Sequence, residues 1–176
     1  MPHFTLQGLG SIVQRQLPIE LTTLIEQAAM PSLVSGPHDP GLTKWLRDAS
    51  NRRTLSPKSQ AAIWLVAGDL DASHTISQSI DDADGSFWHG IMHRREGDYG
   101  NAKYWFRRVG KHPVLDQLAQ GAYGDPYAFV DAVQRSVNRK EAVGELAALQ
   151  WDEWQSLFLD CLDASDVAPT NVDATP

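Results

Sequence analysis

Apolar residues recur with a helical period along most of the chain. Between residues 18 and 30 they form one stripe, and Pro31 then stops the helix. The stripe consists of Ile19, Leu21, Leu24, Ile25 and Ala28. The same period predicts helices over 42–49, 57–79, 88–96, 101–109, 113–120, 127–137 and 140–162. We find no strand-like alternation, so the pattern predicts an all-α fold with seven to nine helices.

The centre of this predicted fold is formed by one long helix and a helical hairpin. Residues 61–67 are apolar all round, which is typical of a helix buried on every side. The helices predicted over 88–96 and 101–109 are joined by a tight turn and form a helix-turn-helix hairpin. We expect a single compact helical domain over residues 1–164. The polar residues 165–176 are predicted to be a disordered C-terminal tail.

Composition narrows the functional classes. The chain has 176 residues, a formal net charge of −7 and a single cysteine, Cys161, so no disulfide can form within it. No apolar run approaches the ~20 residues of a membrane span, and the N-terminus lacks a signal-peptide pattern. We therefore expect a cytoplasmic protein that binds neither membranes nor nucleic acid, because an acidic surface repels phosphate backbones.

Charge is unevenly distributed along the chain. Residues 86–113 hold six Lys or Arg and two Asp or Glu, a sum of +4, so the rest of the chain carries −11. The preceding segment 67–85 holds five Asp and no Lys or Arg. A contrast this local indicates a site or a partner, so we expect the function to lie here.

The basic block carries two resemblances. Gly90, the turn Gly97–Tyr99, Ala102, Phe106 and Pro113 fall at the spacing of a tetratricopeptide-type helix pair. This resemblance implies the hairpin but not a repeat array, which needs about three copies. A wider stretch is similar to a group of uncharacterised microbial proteins, which implies a shared fold and no particular activity. It comprises residues 71–78, 88–98 and 101–110.

Histidine spacing suggests a metal site. His89, His93 and Glu96 lie at i, i+4 and i+7 and so share one helical face. Asp71 and His74 would face them from the preceding helix. Three His ligands with an open position would hold one divalent transition metal as a cofactor and suit metal-assisted hydrolysis or hydration. Alternatively, these histidines are structural and hydrogen-bond to the acidic segment.

Arginine pairs suggest an anion site. Arginine forks bind carboxylate or phosphate groups bidentately. The candidate ligand-binding residues are Arg94, Arg95, Arg107, Arg108, Trp88 and Tyr104. Alternatively, the arginines form internal salt bridges with the five Asp of residues 67–85.

Three functions follow from these patterns. The first is a binding or interaction module whose basic, aromatic hairpin receives an anionic small molecule or an acidic protein segment. The second is a metal-dependent hydrolase-like enzyme with His74, His89 and His93 as ligands. The third is a structural domain without a ligand site. Cys161 lies on the apolar stripe of the last predicted helix and is interpreted as a core residue.

Overall fold

A computed structural model describes residues 16–165, with side chains described as far as residue 162. This part of the chain folds into ten helices without a β-strand, which confirms the all-α prediction. They are α1 (Ile19–Gln27), α2 (Pro40–Arg47), α3 (Ala49–Arg52), α4 (Pro57–Ala67), α5 (Leu70–Ser77), α6 (Ala83–Glu96), α7 (Tyr99–Val109), α8 (Pro113–Leu118), α9 (Pro126–Arg139) and α10 (Gly144–Ser165). Most of the predicted C-terminal tail lies outside the described residues.

The helix predicted over 57–79 is instead two helices, α4 and α5. Gly68 adopts a left-handed conformation with φ +83°, and a Cβ there would lie 2.8 Å from the carbonyl oxygen of Pro37. Asp69 then caps α5 by accepting a hydrogen bond from the Ala72 N–H at 3.0 Å. A left-handed glycine followed by a capping aspartate ends one helix and starts the next. The break turns α5 so that it packs beside α6.

Aspartates start many of these helices. Their side chains accept hydrogen bonds from backbone N–H groups that have no partner within the helix. The capping aspartates are Asp39, Asp48, Asp69, Asp82, Asp98 and Asp125. Part of the negative charge of the chain is therefore used locally, at helix N-termini, where it also complements the helix dipole.

The central elements match the prediction. In α4, residues 61–67 are all buried, as expected for an apolar helix at the centre of the fold. Helices α6 and α7 form the predicted hairpin, in which a Cβ on Gly90 would lie 3.1 Å from the Phe106 ring. Helix α10 covers α4, where the Trp154 indole N–H donates to the Ala62 carbonyl oxygen at 2.8 Å. Cys161 is buried at 3% exposure.

The described helices differ from membrane-spanning helices in length or in composition. Across residues 16–165, none of them combines the length and apolar character needed to cross a bilayer. The longest helix, α10, has 22 residues but includes several acidic ones. The described helices instead pack around a continuous apolar core.

Candidate functional site

Three histidines from two helices lie together. His74 comes from α5, and His89 and His93 come from successive turns of α6. One ring nitrogen from each can be chosen so that all three lie within 4.8 Å of one another. The spacing of four residues stacks the rings of His89 and His93, whose centroids are 4.7 Å apart. The predicted grouping of these three histidines is therefore present in the fold.

His74 meets the other two rings edge-on. Its ring centroid lies 4.7 Å from that of His89 and 5.2 Å from that of His93. Three nitrogens around one tetrahedral zinc ion are roughly 3.3 Å apart, given Zn–N bonds of about 2.0–2.1 Å. One ring nitrogen from each histidine lies within 4.8 Å of the others, a separation of the same order as this spacing.

His89 is the most unusual of the three. It is 2% exposed, and neither Nδ1 nor Nε2 has a hydrogen-bond partner in residues 16–165. Burial, followed by the neighbouring His93 and His74, lowers the pKa of His89 to about 3. The imidazole is therefore neutral at pH 7, which is the form that binds a metal.

His93 is oriented by Glu96. Its Nδ1 lies 2.8 Å from Oε1 of Glu96, and this contact keeps the proton on Nδ1 and leaves Nε2 as the free electron pair. A carboxylate behind a ligating imidazole is a common arrangement around metals. Glu96 and Asp98 also form a second group of possible ligands with His93. However, Asp98 already accepts a hydrogen bond from the Asn101 N–H at 3.0 Å.

Asp71 does not join the histidines. Its side chain is exposed, and it belongs to none of the groups of three close ligand atoms found among the described residues. It lies in the first turn of α5, where a carboxylate complements the helix dipole. The prediction of Asp71 as a ligand is therefore not supported by its position.

The sequence reasoning missed the stacking role of Trp105. Its indole lies parallel to the His89 ring at a centroid distance of 3.9 Å. On the same indole, the Arg108 guanidinium carbon lies 5.2 Å from the ring centroid. The contact depends on the register between α6 and α7, which no local pattern in the sequence specifies. The stack covers His89 and fixes its plane.

Arg94 has a different role from the predicted one. It is fully buried and forms a two-point salt bridge with Glu153 of α10, while its NH2 also donates to Oε1 of Gln150 at 3.3 Å. The Tyr123 hydroxyl donates to Glu153 as well. The Arg94 guanidinium also lies 4.5 Å from the Phe129 ring centroid. This cluster holds α6 against α10 and leaves Arg94 unavailable to a ligand from solvent.

The other predicted anion-binding residues do not form one accessible site either. Arg95 and Trp88 are buried at 3% and 0% exposure, whereas Arg107, Arg108 and Tyr104 are exposed. Successive residues on a helix point about 100° apart, and packing against α4, α5 and α7 buries most faces of α6. The predicted single site of Arg94, Arg95, Arg107, Arg108, Trp88 and Tyr104 is therefore corrected to two separate environments.

The acidic segment pairs mainly with other groups. Lys58 contacts both Asp82 and Asp84, and His112 Nε2 lies 2.8 Å from Oδ1 of Asp84. Among the four predicted arginines, only Arg108 contacts this segment within the described residues, at 3.8 Å from exposed Asp81. The predicted internal salt bridges between these aspartates and the arginine pairs are thus limited, in the described residues, to this one exposed contact. Among the hydrogen bonds of the described residues, the rings of the three clustered histidines make none to the aspartates of this segment.

None of the protein families, curated proteins and solved structures compared with this chain matches it. The resemblances to a tetratricopeptide-type pair and to uncharacterised microbial proteins stay predictions. The function is therefore inferred from the geometry of the described residues.

Proposed function

We propose that the protein binds one divalent transition metal ion through His74, His89 and His93. The observation that carries the proposal is His89, which lies beside two further imidazoles and whose two buried ring nitrogens have no hydrogen-bond partner among the described residues. Leaving a buried polar group unpaired costs about 1–3 kcal/mol. A metal ion at the common point of the three rings removes part of that cost.

The surroundings suit a metal more than a purely structural cluster. The low pKa of His89 keeps it unprotonated, and Glu96 orients His93 so that Nε2 is free. A structural histidine in a core normally finds a hydrogen-bond partner. His89 lacks one, which supports the ligand role over the structural alternative.

The donor set restricts the choice of metal. Three imidazole ligands favour zinc, copper, nickel, cobalt or iron(II), whereas magnesium and calcium prefer oxygen ligands. Among the described residues, Glu96 is the nearest carboxylate to His93 and is already hydrogen-bonded to it. We therefore assign Glu96 to the outer shell, where it raises the basicity of His93.

The chemistry that follows is activation of a bound water. Three protein ligands leave one coordination position for water or substrate, and a bound metal lowers the pKa of that water towards 7. Hydrolysis or hydration of a small substrate is the reaction class we propose for the site. The three histidines hold the ion, and Glu96 keeps His93 in the ligating tautomer.

Metal analysis tests this proposal directly. We expect about one equivalent of a transition metal in the purified untagged protein by mass spectrometry, and its loss in the double variant His74→Ala/His93→Ala. His38→Ala is the matched control, because His38 is exposed and lies outside the cluster. Absence of metal from the native protein, with no thermal shift on adding zinc, manganese or iron, would overturn the proposal.

Replacing the bound metal with cobalt distinguishes a site that keeps an exchangeable water from one whose coordination positions are all filled by the protein. Four-coordinate cobalt with an exchangeable water should change its visible spectrum when azide is added. Such a change would justify a screen with nitrophenyl esters and phosphates. A cobalt spectrum unaffected by azide would restrict the function to metal binding and reject the hydrolytic reaction.

A further inference from the structure

Arg95 is a buried cation without a carboxylate partner. It is 3% exposed, and no Asp or Glu oxygen lies within 4 Å of it in the part of the chain that the structure describes. Its NH1 donates to the carbonyl oxygen of Leu65, while its Nε is buried without an acceptor. An arginine has five N–H donors, so most of those on Arg95 have no acceptor among the described residues.

The neighbouring residue shows how the chain satisfies a buried arginine elsewhere. Arg94 meets both oxygens of Glu153. For Arg95 the only compensation is a carbonyl near the C-terminal end of α4, which carries a partial negative charge. Burial and the nearby Arg94 lower the pKa of Arg95 to about 10, so the side chain still carries its charge at pH 7. The full positive charge of Arg95 thus faces only the partial negative charge of this carbonyl group.

A cavity lies beside this charge. It has a volume of about 220 Å³ and is enclosed by Arg95, the loop before α2 and the end of α4. Its lining includes Met30, Ser32, Gly36, His38, Asp39 and Val66. At about 30 Å³ for each water in the liquid, this space accommodates a molecule of several heavy atoms.

The cavity has a fixed wall. The Ser35 N–H donates to the Arg95 carbonyl oxygen at 2.7 Å, and the Asp39 N–H donates to the Ala67 carbonyl oxygen at 2.8 Å. The Asp39 carboxylate, which also lines the cavity, accepts a hydrogen bond from the Leu42 N–H at 2.8 Å. These bonds hold the loop across α4 and α6, so the cavity is built into the fold.

We propose that this cavity binds a small carboxylic acid, with its carboxylate paired to Arg95 and its apolar part against Val66 and Met30. A carboxylate supplies two acceptors in the geometry of the guanidinium fork and cancels the unpaired charge. Of the residues predicted to bind an anion, this proposal retains Arg95 and places the ligand in this cavity. The inference is independent of the proposed metal site.

Thermal unfolding with added anions tests the site. Sodium acetate and sodium propionate, compared with sodium chloride at equal ionic strength, should raise the Tm of the whole protein. The rise should be about 3–5 °C at roughly tenfold above Kd, and titration calorimetry should give one site. Arg95→Met should abolish the response, and Arg107→Met, which alters an exposed arginine, should retain it.

A second variant covers the case in which Arg95→Met does not fold. Ser32→Trp places a large side chain at the exposed rim of the cavity and leaves Arg95 in place. We expect it to fold and to lose acetate and propionate binding. Equal Tm values in acetate, propionate and chloride would overturn the proposal, as would stabilisation by inorganic phosphate alone. Arg95 would then be a structural cap for α4.

Discussion

Two clusters of buried polar side chains lie on the same helix, α6, and differ in how they are satisfied. Arg94 has Glu153, Gln150 and an aromatic face around it, and Glu153 in turn accepts from Tyr123. His89 has two ring nitrogens without a partner and two further imidazoles beside it. In the first cluster the charge of Arg94 has its counter-ion within the protein, although its Nε has no hydrogen-bond partner among the described residues. In the second, both ring nitrogens of His89 have no such partner.

This difference separates structure from function. A buried charge with every group paired holds its elements together, and removing one partner costs several kcal/mol. A buried group left unpaired reduces stability unless a ligand completes it. Arg94, His89 and His93 all belong to one basic block of the sequence, so residue type alone did not distinguish the two clusters. The hydrogen bonds that each cluster makes within the protein do distinguish them.

The largest expected effect is in the satisfied cluster. Glu153→Gln should lower the free energy of unfolding by about 3–5 kcal/mol, because it leaves the Arg94 charge buried without a counter-ion. Urea denaturation measures this change. Metal content should be unaffected, since Glu153 is not among the groups of close metal-ligand atoms in the described residues.

The matched control removes both charges. Arg94→Met/Glu153→Leu should recover much of the lost stability, because an apolar pair of similar volume avoids the desolvation cost. If Glu153→Gln costs less than about 1 kcal/mol, the pair is not a structural anchor and the contrast between the two clusters fails.

The next effect is in the unsatisfied cluster. His89→Phe keeps a ring against Trp105 and removes the unpaired nitrogens. Metal-free stability should stay within about 1 kcal/mol of the native protein or rise. The stabilisation by zinc, about 2.7 kcal/mol at 100-fold above Kd, should disappear. Thermal unfolding with and without zinc measures both, and a retained zinc response would remove His89 from the ligand set.

Variants of Glu96 test whether this carboxylate orients His93 as a metal ligand. Glu96→Gln should weaken metal affinity about tenfold and Glu96→Ala up to about 100-fold, because both reduce the basicity and fixed orientation of His93. Competition with a metal chelator measures the affinities. Folding stability should change little, since the Glu96 side chain is 36% exposed. Equal affinities in all three proteins would contradict its orienting role.

The smallest expected effect is at Asp84, whose carboxylate contacts both Lys58 and His112. The hydrogen bond from His112 and then the contact with Lys58 lower the pKa of Asp84 to about 2. A lowered carboxyl pKa contributes stability above the unfolded value of about 3.9, and this contribution is lost as pH falls towards 2. Asp84→Asn should therefore be about 1 kcal/mol less stable at pH 6 and should lose this difference near pH 2. Urea midpoints across that range measure it, and a constant difference would contradict the linkage.

Much of the fold was predictable because its signals are local. Helical periodicity, capping residues and prolines identified most helices, and the apolar residues 61–67 identified the central one. The break at Gly68 was missed because an isolated glycine in a helical pattern is often tolerated. What imposes the break is a distant contact, the carbonyl of Pro37 against Gly68.

The candidate site was predictable in part. The spacing of His89 and His93 placed them on one face, and the expected pairing with the preceding helix suggested His74 as the third member. Asp71 was wrongly included, because a one-dimensional pattern does not show which turn of α5 faces α6. Trp105 was missed because its contact depends on the register between α6 and α7.

The sequence by itself determined the helices, their starts and the histidine pair, since these depend on neighbours within about four residues. Only the tertiary structure decided which charged residues are anchors and which are unpaired. Glu153 lies 59 residues from Arg94, and the loop that closes the cavity near Arg95 is over 50 residues away in sequence. Partners at such separations are chosen by packing, because no local signal in the chain specifies them.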